Sequence, residues 1–117
     1  MQILGKSQVD DLINKLKEIA RRNPHGFTVY LDNLRPVTSG WSVALKETQN
    51  SHSDEGLKHV IAVANAKTGI VGGWSEDGKF WWDAVLIFDN EEEATIAGHQ
   101  NEQIAIYYIE KNYVKFL

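Results

Sequence analysis

The chain is predicted to fold as an α+β domain: a mostly antiparallel sheet of about six strands, with three helices mainly on one face. Three observations predict it. Phe80, Trp82, Ala84, Leu86 and Phe88 alternate as a wholly apolar set along one strand, which requires a core on that side. Three other segments repeat apolar residues at helical spacing. Between Ile70–Trp74 and Phe80–Asp89, the stretch Ser75-Glu76-Asp77-Gly78 reads as a hairpin loop, with Gly78 free to take positive φ.

The elements follow in order. Ser7–Arg22 is a helix with Val9, Leu12, Ile13, Leu16, Ile19 and Ala20 as one stripe. Ser7 is its expected N-cap, Asp10 and Asp11 its acidic first turn, and Asn23-Pro24-His25-Gly26 its stop. Phe27–Leu31 and Gly40–Leu45 are strands expected to pair as antiparallel neighbours, with Trp41, Val43 and Leu45 inward. Lys46–Gly56 is a polar loop and a candidate functional segment. Ser53 would cap a helix over Glu55–Ala66 with Leu57, Val60, Ile61 and Ala64 inward, and Gly69 would end it. Asn90 would cap a helix opening on Glu91, Glu92 and Glu93, with Ala94, Ile96 and Ala97 as its apolar face. Strands Gln103–Ile109 and Tyr113–Leu117 complete the set.

At 117 residues this is one domain, 1–117, with enough chain for a core. It has no cysteine, hence no disulfide or thiolate chemistry, which fits a cytoplasmic setting. No apolar run suggests a signal peptide or a membrane span. Residues 1–58 carry net charge +1 and residues 59–117 carry −5. That acidic half makes direct nucleic-acid binding an unfavoured reading, although strand Trp and Tyr side chains could stack bases. It suits a protein partner with a basic surface.

Chemistry finds little support. His52, Asp54, Glu55 and His59 lie close together but do not match a zinc spacing. No nucleophile elbow, phosphate loop or convincing carboxylate pair is present; Asp83 and Glu102 are the nearest candidates for such a pair. No metal, cofactor or catalytic residue is therefore assigned, and the chain reads as a non-enzymatic binder. The expected contact residues are Trp74, Trp81, Glu91, Glu92 and Glu93. An alternative small-ligand or nucleotide site would use Gln49, His52, Gly72, Gly73, Asn101 and Gln103, the amides supplying hydrogen bonds. Gly72 and Gly73 inside a strand make room for Trp81 or Trp82 across the sheet, or leave backbone open to a ligand.

Trp81, Val85, Ile87, Tyr107 and Ile109 leave apolar area on the second side of the long strands. Either the first helix wraps over it, the favoured reading, or a partner covers it, a homodimer included.

Several segments together resemble a known family: Gly26-Phe27-Thr28-Val29, Thr38-Ser39-Gly40-Trp41-Ser42-Val43, Val71-Gly72-Gly73-Trp74, Asp83, Glu93-Ala94, and Asn101-Glu102-Gln103-Ile104-Ala105-Ile106. In that order they resemble a family of small domains from phages and conjugative or other mobile elements, also found inside polyvalent proteins transferred with DNA. The match spans about Gly26 to Glu110 and leaves out the first helix. The resemblance carries no catalytic activity. It implies a mobile-element origin and action on host machinery, such as antagonism of CRISPR or restriction.

Overall fold

A computed structural model describes residues 3–117. The elements run α1 (Lys6–Arg22), β1 (Gly26–Tyr30), β2 (Trp41–Ala44), β3 (Ser51–His52), α2 (Ser53–Val63), β4 (Ile70–Glu76), β5 (Lys79–Phe88), α3 (Glu91–Gln100), β6 (Ala105–Tyr108) and β7 (Tyr113–Phe116). All strand pairs are antiparallel, in the order β1-β4-β5-β2-β6-β7, with β3 added alongside β5. Among the described residues the fold is thus α+β with three helices, as expected, and a seventh, two-residue strand.

The helices share one face. Ile13 and Leu16 of α1 and Leu57, Val60 and Ile61 of α2 pack with Val29, Val71, Trp82 and Ala84. Ala94 and Ala97 of α3 pack with Trp41, Val43 and Ile106. Register puts all these strand residues on the side of the apolar set in β5, because Val71 faces Ala84, Trp41 faces Phe88 and Val43 faces Leu86. Amphipathic periodicity and strand alternation therefore meet in one interior.

Several local expectations are corrected. β1 and β2 are not neighbours: the β4–β5 hairpin lies between them, β1 pairing with β4 and β2 with β5 and β6. The reason lies in the connection after β1, which folds back along that strand's outer edge. Tyr30 N donates to Arg35 O, Val37 N donates to Thr28 O, and Val29 bridges Pro36. That edge is thereby covered, and β2 is carried to the far side of the hairpin. Gly5, not Ser7, caps α1, and Gln8 Oε1 accepts from Gly5 N at 2.8 Å. Asp10 and Asp11 then fall beyond the first turn. Ser53 begins α2 rather than capping it, with His52 in the cap position. Gly69 does terminate the helical run: it takes φ +70 after a single π-helical turn over Ala64–Thr68. Ile96 is 53% exposed, so it does not join the core face assigned to it.

Lys46–Gly56 is not an open loop. It forms a 3-10 turn (Lys46–Thr48), β3 and the start of α2. Its anchor is Thr48, fully buried although polar. The Thr48 hydroxyl donates to Leu45 O and accepts from Ala84 N, both at 3.1 Å. It sits where the partner of β5 changes from β2 to β3, and it satisfies an amide that would otherwise be orphaned in the interior.

Candidate binding surface

Among the described residues no helix covers the other side of the sheet; α1 packs with α2 and β1 on the core side, so the expected wrap by the first helix does not occur. The middle of that side is instead closed by the β1–β2 connection. Val37, opposite Thr28 in register, points to it and is buried, as is Val85. At the end of the connection Gly40 lies tight against Ile87.

Near the β4–β5 turn the face stays open and aromatic. Trp74 and Trp81 are cross-strand partners with ring centroids 6.4 Å apart. Trp74 is 42% exposed. Its Nε1–H donates to Asp83 Oδ2 at 3.0 Å, the diagonal neighbour two residues along β5. Trp81 Nε1 donates to Glu76 O at 3.2 Å. His52, brought alongside by β3, meets Trp81 edge to face at 5.1 Å, and Lys79 Nζ lies 5.7 Å from the Trp81 ring. Both indoles are thus fixed through their one polar atom, while ring area remains available for contact.

Asp83 is the unusual ionisable group here. Opposite it stands Gly72, whose neighbour Val85 fills the space a side chain would take. Burial pushes the Asp83 carboxyl up from 3.8 to about 6, and the hydrogen bond from Trp74 partly opposes that rise.

The remaining expected residues divide. Glu91, Glu92 and Glu93 lie in the first turn of α3, where Asn90 caps by accepting from Glu93 N. They follow the far end of β5, about 25 Å of strand away from Trp81. The structure therefore does not join them to the indole pair in one patch. Glu91 is already paired with Lys115 Nζ at 2.7 Å.

The alternative ligand site is not assembled as expected. Gln49, Asn101 and Gln103 do come together, but their amides bind protein. Gln49 Nε2 donates to the Asn101 and Glu102 carbonyls, Gln103 Nε2 donates to Asn101 O, and Asn101 Oδ1 accepts from Lys46 N. They sew the turn after α3 to the 3-10 turn. Gly73 belongs to the interior, where an added Cβ would lie 2.3 Å from Phe80 Cε2 and 3.1 Å from Phe27 Cε1. It makes room for Phe80 and Phe27, stacked at 5.8 Å, rather than for Trp81 or an incoming ligand. A cleft of about 550 Å³ lies elsewhere, between α1 and the turn after β1, lined by residues such as Gln8, Asp11, Tyr30 and Asn33.

The metal candidates are dispersed. His59 Nε2 lies 2.8 Å from Glu47 O, Asp54 pairs with Lys17 at 3.0 Å, and His52 meets Trp81 edge to face. Among the described residues no three His, Asp or Glu side chains converge as a metal site. Asp83 and Glu102 do not pair, the latter lying 3.6 Å from Lys46. No helix among the described residues is long and apolar enough to cross a membrane. Comparison with protein-family models, curated proteins and solved structures returned no match.

Sequence reasoning picked out Trp74 and Trp81 but missed Thr48 and the bond between Trp74 and Asp83. A Trp and an Asp two pairs apart on one face of a predicted hairpin were the available signal for that bond. Thr48 left none, since its partner lies 36 residues away.

Proposed function

We propose that this chain is a non-enzymatic binding protein, and that the helix-free face near the β4–β5 turn is its contact surface. One observation supports the reading above the others: two adjacent indoles are pinned by their N–H groups on a sheet face that no helix covers. Such rings lose little conformational freedom on binding, which favours them as interface anchors. The partner is a host protein, and the resemblance to phage and mobile-element domains makes the action one of antagonism towards a host defence such as CRISPR or restriction.

The test has two stages. Cells carrying an active restriction or CRISPR system are challenged with phage, with and without the chain expressed. Protection of the phage is expected, and is expected to fall at least tenfold with Trp74→Ala at unchanged protein level. Absence of protection against every system tried would remove the defence target. A lysate pull-down that recovers the same partners with Trp74→Ala and Trp81→Ala would remove the indole surface as well.

A further inference from the structure

The two ends of the sheet are treated differently. The outer edge of β1 is closed by the returning connection at Pro36. β7 ends the order on the other side, where it pairs with β6, and no described residue pairs with its outer edge. Leu117 N donates to Ile104 O, so these two form a hydrogen-bonded pair of the β6–β7 ladder. Alternation then makes Ile106–Lys115 and Tyr108–Tyr113 the other bonded pairs. The backbone N–H and C=O groups of Val114 and Phe116 therefore face outward. Their side chains are 47% and 75% exposed, so the edge is apolar as well as unpaired.

We propose that β7 is a docking edge for an extended segment of another protein, which adds as the next antiparallel strand. The segment would exchange main-chain hydrogen bonds with Val114 and Phe116 and place apolar side chains beside theirs on the helix-free face. Its intervening residue would face Lys115, in a shallow groove lined by Glu91, Glu92, Thr95, Ile96 and Lys115.

Charge selects that residue and the kind of partner. Lys115 Nζ donates to Glu91 Oε2 at 2.7 Å and to Thr95 Oγ1 at 2.9 Å, which leaves one ammonium donor over. A carboxylate opposite would sit beside Glu91 and Glu92, and a Lys or Arg would face Lys115. An uncharged acceptor such as Thr or Gln satisfies the third donor without either repulsion. The same rule disfavours a second copy of this chain: the two-fold pairing that uses both outward-facing residues sets Lys115 against Lys115. This edge lies three strands from β5, at about 4.8 Å per strand, and so is distinct from the indole pair.

The experiment uses the full chain and a labelled nine-residue peptide with a central Val-Thr-Ile core, followed by fluorescence polarisation. Binding is expected, with protection of the Val114 and Phe116 amides from hydrogen exchange. It is expected to weaken at least tenfold when the core Thr becomes Lys, and when the peptide's Val and Ile are N-methylated. Val114→Pro should have the same effect, since it removes an outward N–H and no bond to β6. The N-methylated peptide gives the answer even if that variant does not fold. Trp74→Ala should leave peptide binding unchanged, whatever its effect on the proposed host interaction. No binding at millimolar peptide, indifference to N-methylation, or loss with Trp74→Ala would each overturn the proposal. So would a dimer of the chain alone, seen by sedimentation and abolished by Val114→Pro, because it would give the edge to a second copy.

Discussion

Trp74 Nε1 donates to Asp83 Oδ2 at 3.0 Å across the β4–β5 ladder, and this bond joins the exposed surface of the hairpin to its one perturbed carboxyl. The indole is held by a group that itself needs the donor, since Gly72 opposite Asp83 offers no side chain.

Asp83 makes stability depend on pH in a defined direction. Its pKa is about 6 folded against 3.8 for the free group, so the folded state holds the proton more tightly. The contribution is neutral below about pH 4, turns unfavourable as pH rises towards 6, and is level above that. Asp83→Asn should therefore match the parent in melting temperature near pH 4 and exceed it at pH 7–8. The difference should be worth about 1–2 kcal/mol, a figure discounted for partial solvent access. Thermal melts from pH 3.5 to 8 check this; a gap that does not change with pH would refute it.

Trp74→Phe keeps aromatic area and removes the donor. The Asp83 carboxyl should then titrate above 6, because the bond from Trp74 is what lowers it. Carbon-detected NMR of the carboxyl across pH 4–9 measures the midpoint. Stability at pH 8 should fall by about 1–3 kcal/mol, the usual range for orphaning a buried polar group, and by less at pH 4.

Thr48→Val is nearly isosteric and strips out a hydroxyl with two buried partners. Ala84 N loses its acceptor and Leu45 O loses the hydroxyl donor. Urea denaturation should show a loss of about 1–3 kcal/mol. Thr48→Ser, which retains the hydroxyl, should recover part of that loss at the cost of a methyl-sized cavity.

Gly73→Ala would place a methyl 2.3 Å from Phe80 Cε2, inside a stack that also holds Phe27 and Trp82. The rings must shift, at a cost of about 1–3 kcal/mol. Gly5→Ala, with only Gln8 Oε1 nearby at 3.6 Å, serves as the control and should change stability far less. Equal melting temperatures for the two variants would show that the stack yields freely.

Much of this architecture is written locally. The 3.6-residue stripe of Ile13 and Leu16, the alternation of Trp82 and Ala84, the Asn90 cap and the left-handed Gly69 each depend on neighbours within a few positions. They formed where the sequence placed them. Trp74 and Trp81 as cross-strand partners likewise follow from a short hairpin. Strand order does not. Placing the β4–β5 hairpin between β1 and β2 depends on Val29 meeting Val71, 42 positions away in the chain, and on Pro36 covering the outer edge of β1, contacts that no local pattern specifies. For the same reason only the tertiary structure turned Thr48 into a ladder partner for Ala84, took Gln49, Asn101 and Gln103 out of service as ligand groups, and set Glu91–Glu93 apart from the indoles. Sequence patterning determines which face of each element is apolar; which elements meet is decided by the packing that buries those faces together.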